Sequence, residues 1–191
     1  LRNFSWQISA ARTSQFIHLL PNQSLGLTSD LWVPATNDIP PQTAWLFTLG
    51  QTWSNQDQTF SIGVEGYYKR LYDQIDFNSG FNLLNFENNS WENTIERGGV
   101  GRSYGLEVIL KKEHANWNGW LSYTLLWNQR RFATINQGDW FNHRYERRHD
   151  LSITITRNFR KNWQFNGSFI FQSGYNITLP NQVQAGNLFD L

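Results

Sequence analysis

The sequence predicts an all-β fold: an antiparallel up-and-down transmembrane β-barrel segment of about seven strands, an arc of a larger barrel. Three observations predict it. Apolar and polar residues alternate with period two along most of the chain. The composition joins opposites, with aromatics at 16% and 10 Trp but a mean hydropathy of −0.56. Long polar connections alternate with short ones. Side chains on a strand point to alternate faces, so each run carries one apolar and one polar face. A wall wetted by lipid outside and water inside uses both. Residues 1–191 are read as part of one such domain.

The strands follow in order. In the first, Phe4, Trp6, Ile8 and Ala10 alternate with Asn3, Ser5, Gln7 and Ser9, and the pattern loosens towards His18. Residues 19–42 hold Pro21, Pro34, Pro40 and Pro41 and are expected to form a long loop, because proline removes a ladder donor. Strand two, about 43–54, sets Trp45, Phe47, Leu49 and Trp53 outward; strand three, about 59–72, does so with Phe60, Ile62, Val64 and Tyr68. Pairing Trp53 with Phe60, Leu49 with Val64 and Trp45 with Tyr68 keeps one apolar face and implies a two-residue turn at Gln56-Asp57.

Residues 73–101 form a second long loop, with room for a small hairpin around 77–86. Tyr104, Leu106, Val108 and Leu110 then define strand four, and Leu121, Tyr123, Leu125 and Trp127 strand five, joined near Ala115-Asn116. Ser103, Gly105, Glu107 and Lys111 take the polar face. A third long loop spans about 129–147. Strand six, about 148–159, sets Leu151, Ile153, Ile155 and Phe159 outward. Strand seven, about 162–179, does so with Trp163, Phe165, Phe169, Phe171 and Ile177, after a tight turn at 160–162. Trp45, Trp53, Tyr68, Tyr104, Trp127 and Trp163 sit near strand ends, where interfacial girdles form. Arg157 reads as the one charge on the apolar face, close enough to a turn to snorkel.

Charge and cysteine content exclude several classes. The net charge of +1, with no run of Lys and Arg on one face, gives no ground for a nucleic-acid partner. No Cys means no disulfide framework and no thiolate metal site. No apolar run reaches the roughly 18 residues of a transmembrane helix. The chain begins at Leu1 inside an alternating run and holds no Met, which reads as a processed or truncated piece of a longer product. Seven strands leave two open edges, which a complete wall in lipid does not tolerate, so further strands are expected outside this sequence.

Candidate chemistry concentrates in the loops. Asp30, Trp32, Trp91, Trp140, Phe141 and Tyr145 are the candidate ligand-binding residues: flat rings beside polar groups suit sugars or aromatic chelates. The competing reading is that these rings pack loop on loop or belong to the outer girdle. His143, Glu146, His149 and Asp150 form the densest titratable cluster, but Arg144, Arg147 and Arg148 among them would repel a cation. A salt-bridge and hydrogen-bond network at the loop base is expected instead, with no metal and no cofactor. The glycine-rich stretch 98–105 opens a strand rather than a helix, which argues against a phosphate loop. No catalytic residue is assigned. Asp30, Asp139 and His143 permit an enzyme without pointing to one. The Asn-x-Ser/Thr matches at Asn22, Asn88, Asn166 and Asn176 are attributed to chance in so Asn-rich a chain.

Five stretches together resemble the barrel of TonB-dependent outer-membrane receptors of the Bacteroidetes type. They are ARTSQFIHLLPNQSLGLTSDLWVPATNDIPPQ at 11–42, VEGYYKRLYDQIDF at 64–77, GVGRSYGLEVILKK at 99–112, GWLSYTLLWNQRRFATINQG at 119–138 and RYERRHDLSI at 144–153. The resemblance implies a barrel of about 22 strands closed by an N-terminal plug. It implies energised uptake of a scarce ligand such as a metal chelate, cofactor or glycan. The implied partners are outer-membrane lipid, the plug and remaining strands, the TonB complex and a surface lipoprotein. Two other classes fit less well: an outer-membrane β-barrel enzyme, and a soluble carbohydrate-binding β-sandwich. A sandwich would interrupt the apolar stripe on its edge strands with Lys or Pro, and here every strand keeps it.

Overall fold

The computed structural model describes residues 3–20, 30–78, 91–159 and 163–176. Seven long strands form one antiparallel sheet in the order β1(Phe4–Gln15), β4(Gln42–Ser54), β5(Phe60–Phe77), β6(Ile95–His114), β7(Trp117–Arg131), β9(His149–Phe159) and β10(Trp163–Gln172). A short strand, β8(Phe141–Asn142), pairs with the end of β7. A separate hairpin joins β2(Ile17–Leu20) and β3(Leu31–Pro34). Among the described residues no helix is long and apolar enough to cross a membrane.

The ladder register conserves side-chain parity from strand to strand. Tyr104 opposes Trp127, Leu106 opposes Leu125, Val108 opposes Tyr123 and Leu110 opposes Leu121. Leu121 then opposes Ile153, which opposes Phe169. The large apolar side chains on this face are exposed, Ile8 at 79% and Phe169 at 57%, and no second sheet covers them among the described residues. The opposite face is polar, and register partners bond across it. Ser9 and Thr48 hydroxyls lie 2.7 Å apart, Thr156 donates to Asn166 at 2.9 Å, and Gln172 donates to Asp150 at 2.6 Å. Gly105 lies on this face beneath Tyr67. A Cβ there would stand 2.3 Å from the Leu125 carbonyl oxygen and 2.8 Å from Tyr67 Oη, so glycine lets the two strands and the ring approach.

The expected pairing of strands two and three is corrected by two residues. Trp53 opposes Ile62, Gln51 opposes Val64 and Phe47 opposes Tyr68. A shift of two keeps every side chain on its face, so the apolar pattern does not distinguish the two registers. Turn chemistry does. A two-residue type I′ turn needs left-handed backbone at both central residues, which Gln56-Asp57 does not favour. Instead Gln58 alone takes φ 54°, and the Asn55 side chain accepts from Phe60 N–H at 2.9 Å and donates to Thr59 at 2.7 Å. The result is a four-residue loop. The turn at Ala115-Asn116 is as expected; the turn at 160–162 and the position of Ile177 lie outside the described residues.

The long connections carry more order than expected. Strand β5 runs to Phe77 and β6 starts at Ile95, with bulges between Leu71 and Asp76. The small hairpin expected around 77–86 falls, beyond Asn78, outside the described residues. The loop expected over 19–42 contains the end of β2 and all of β3, and its last residue, Gln42, begins β4. Pro34 closes that hairpin as its last residue, a position where the missing donor costs little. Here lies the hydrophobic core of the described chain: Leu20, Val33, Ile39, Ile75, Phe77 and Ile95, with Trp91 packed against it.

Arg157 is not alone on the apolar face. Its guanidinium lies 4.9 Å from the Phe159 ring and 6.0 Å from the Trp117 ring. Lys112, opposite Phe60, shares that end, and Arg12, Arg70 and Arg102 share the parity at the other. All stand at the ends of the apolar run, so on β6 it extends from Tyr104 to Leu110, bounded by Arg102 and Lys112. The apolar run is seven residues long, and with the bounding Arg102 and Lys112, whose stems are apolar, it spans eleven, matching the roughly 9–11 residues a tilted strand needs to cross hydrocarbon. Val108 is therefore mid-wall. Val108→Arg is expected to destabilise the assembled barrel by about 2–4 kcal/mol, and Thr124→Arg, on the polar face, by far less. Urea titration of the full-length protein in bilayers measures both; equal effects would refute the facing.

Candidate functional site

The end of the sheet with the long connections gathers the functional candidates. The third connection, 132–148, leaves β7, returns through β8 and enters β9. Its base is held by Glu146, which is buried, at 3% exposure. One Glu146 oxygen accepts from Asn128 N–H at 2.8 Å; the other accepts from Arg148 Nε at 3.1 Å and forms a salt bridge with Arg148 Nη2. His149 Nδ1 lies 2.8 Å from Tyr123 Oη. This is the network expected for the cluster at 143–150. Among the described residues no three His, Asp or Glu side chains converge as a metal site.

Above this base, His143, Tyr145 and Asp30 come together. Tyr145 Oη donates to Asp30 Oδ2, tying the third connection to the residue that precedes β3. That hydrogen bond, with some burial, raises the Tyr145 phenol above its ordinary value. The His143 and Tyr145 rings lie 5.6 Å apart. His143 Nδ1 accepts from Tyr145 N–H at 3.2 Å, so the neutral ring carries its proton on Nε2 and offers one donor. Burial, and then the neighbouring Arg130 charge, lower the His143 pKa to about 3, against a smaller opposing pull from Asp30. Arg130 Nη1 itself stands 3.9 Å from Asp76 Oδ2.

Beside it, Gln74 donates to Gln42 at 2.9 Å, and the Gln42 amide lies 2.9 Å from His18 Nδ1. His18 is fully buried, and burial lowers its pKa. His18 Nε2 and Arg130 Nη1 are buried without a hydrogen-bond partner among the described residues. The arrangement offers fixed donors and acceptors beside ring faces.

The sequence candidates divide. Asp30 and Tyr145 meet, and Trp32 stands nearby in sequence on β3, 60% exposed and turned from the core that Val33 enters. Trp91 packs against the core. Phe141 stacks on buried Phe132 at 6.2 Å. Trp140 lies among the guanidiniums of Arg102, Arg70 and Arg131, at 4.2, 5.4 and 5.4 Å. Arg70 and Arg102 share the apolar face, so Trp140 belongs to the outer wall. Sequence reasoning missed His18, Gln42, Gln74 and the Arg130–Asp76 pair. No spacing marks them, because they stand on four strands, β2, β4, β5 and β7, and meet only in the fold.

No family model and no curated protein matches the sequence. The fold is shared with solved structures. The FpvAI–pyocin S2 complex matches with a TM-score of 0.58 at 12% identity, covering 87% of this chain. The ferripyoverdine receptor of the outer membrane of Pseudomonas aeruginosa, bound to ferripyoverdine, matches with a TM-score of 0.51 at 14% identity, covering 85% of this chain. The chain spans about a fifth, 20%, of each matched chain. At this identity the likeness establishes the fold alone, an antiparallel β-barrel wall.

Two measurements probe the site. His143 is expected to stay neutral in the folded protein between pH 4 and pH 6.5, read as its imidazole nitrogen shifts by NMR in micelles. The unfolded chain binds a proton there below about 6.5 and the folded chain does not, so this residue's stabilisation is complete above that pH and is lost as pH falls towards the folded value. Arg130→Gln should raise the His143 pKa; an unchanged value would show that the Arg130 charge does not act on the ring. Glu146→Ala should lower the opening free energy of the Asn128 amide by about 1.5–3 kcal/mol in hydrogen exchange, the contribution of a charge-assisted bond.

Proposed function

We propose that this chain is a wall segment of a TonB-dependent outer-membrane receptor of the Bacteroidetes type, which takes up a scarce ligand through a plugged barrel. The observation that carries the reading is the seven-strand antiparallel sheet with one exposed apolar face, one polar face and two unpaired edges among the described residues. The fold likeness to a ferripyoverdine receptor supports it. The long connections stand on the extracellular side and the short turns on the periplasmic side, the usual asymmetry of such barrels. The remaining strands close the barrel, and a plug fills it. TonB supplies energy through the plug, and a surface lipoprotein is a further partner. The segment itself forms the wall, keeps the lumen wet and presents extracellular loops, with no catalytic role. Asp30, Trp32 and Tyr145 form the ligand-facing group, and a metal chelate, cofactor or glycan is the class of ligand their rings and polar atoms suit.

The parent polypeptide is expected in the outer-membrane fraction alone, at several times the 22.5 kDa of this chain. A soluble product of this chain's own mass would overturn the reading, since two strand edges would be left unpaired in lipid. Titration of the full-length receptor against ferric chelates, corrinoids and glycans then identifies the ligand. Trp32→Ala with Tyr145→Ala should weaken its binding by about tenfold or more, as expected for aromatic anchors.

A further inference from the structure

The outer wall carries a positive patch that ligand uptake does not use. The ladder places Arg12, Trp45, Arg70 and Arg102 in one row across four neighbouring strands. At about 4.8 Å per strand, three guanidinium-bearing positions fall within about 14 Å. The next row towards the short turns is aromatic: Phe47, Tyr68, Tyr104 and Trp127. Its rings stack, with Tyr104 and Trp127 centroids 5.4 Å apart. Arg131 joins the arginines through Trp140. Among the described residues none of these four arginines forms a salt bridge; the two described ion pairs are Arg130–Asp76 and Arg148–Glu146. Like charges set directly opposite, as Arg70 and Arg102 are, destabilise a ladder unless an anion answers them.

A second observation concerns shape. In the row below the aromatic one, Gly66 stands between Leu49 and Leu106. A Cβ at Gly66 would meet nothing within 4 Å. The missing side chain opens an apolar groove of about 740 Å³ whose walls include Leu49, Val64, Tyr68 and Leu106. A smaller recess of about 460 Å³ shares Phe47 and Tyr68 with it and reaches Arg70. Apolar groove, aromatic belt and arginine row thus follow one another along the wall, in the order acyl chain, interface and headgroup.

We propose that this patch binds a phosphate-bearing, acylated lipid of the surrounding outer leaflet. Its headgroup phosphate sits on Arg12, Arg70 and Arg102, and an acyl chain lies along the Gly66 groove. The inference rests on the barrel reading, which puts this face in lipid and this end at the outer surface. Guanidinium forks match phosphate oxygens in bidentate geometry, and the row supplies several: Arg102 Nε donates to Gln129 at 2.9 Å, and none of the row has a carboxylate partner among the described residues. Trp140, stacked on Arg102, holds the guanidiniums in place.

The test uses the full-length protein in detergent micelles doped with diphosphoryl lipid A, with lipid bound per protein read by native mass spectrometry. Arg70→Gln with Arg102→Gln should reduce binding by about 25-fold, about fivefold per arginine. Gly66→Leu, which fills the groove, should reduce it by about fivefold or more through the excluded acyl contact. Excess inorganic phosphate should compete weakly. Lipid binding unchanged in both variants would overturn the proposal. So would a loss confined to the arginine variant with full competition by inorganic phosphate, which would define a free-anion site. If the arginine double variant does not assemble, Arg12→Gln with Gly66→Leu decides the matter by the same readings. Heat-modifiable gel migration reports the fold separately: its absence in the unaltered protein refutes the barrel, whereas a folded barrel without bound lipid refutes only the lipid site.

Discussion

The structure depends on one constraint: across the apolar band each strand meets its neighbour in a register of constant parity, and the β5–β6 bulges lie beyond that band, between Leu71 and Asp76. A single-residue slip in any of the ladders would carry its apolar side chains to the water-facing surface. In hydrocarbon the same ladders also satisfy the backbone, since no water is present to pair a free N–H or C=O. Pattern and hydrogen bonding therefore enforce one another. Rows such as Phe4–Trp53–Ile62–Leu110–Leu121–Ile153–Phe169 persist across the sheet as a result.

The two ends of the wall solve different problems. At one end the turns need only reverse the chain, and Asn55 does so with its own side chain closing the loop. At the other end the strands outrun the apolar band, and their connections need a core. Leu20, Ile39, Ile75 and Ile95 supply it, from the β2–β3 hairpin, the chain before β4, and the ends of β5 and β6. The burial that most folds place at their centre lies here beyond the end of the sheet, because no second layer covers the apolar face of the wall among the described residues. Two buried polar groups at that end, His18 and Gln74, are both held by the side chain of Gln42 at the start of β4.

Electrostatics follows the same geometry. Charges on the apolar face collect at its ends: Lys112 and Arg157 near the short turns, Arg12, Arg70 and Arg102 near the long ones. Each lies near an aromatic ring, Lys112 at 5.8 Å from Trp117 and Arg12 at 5.9 Å from Trp45. Long cationic side chains at such positions cover apolar surface while their heads reach water. The inner face keeps its polar groups paired across strands, and its carboxylates Glu65 and Glu107 stand opposite one another.

The sequence by itself determined the strands, their facing and the alternation of short and long connections, because period two is a local property written in neighbouring residues. Four apolar pairings of the β6–β7 hairpin are legible in this way, from Tyr104–Trp127 to Leu110–Leu121. The β4–β5 register was not legible, since a shift of two leaves the pattern intact and only the Asn55 turn selects between the alternatives. The order in the long connections was hidden for another reason. Prolines and polar residues mark 19–42 as loop, yet the end of β2 and all of β3 lie there, with Leu20 and Val33 packed in one cluster with Ile75 and Ile95, far along the chain. Only the tertiary structure decided which candidate residues meet. Asp30 reaches Tyr145 across the mouth, whereas Trp91 and Phe141 turn to packing and Trp140 to the outer wall. The arginine row was equally invisible, because it is a row across strands: Arg12, Arg70 and Arg102 are scattered in the sequence and adjacent only once hydrogen bonds set the ladders side by side.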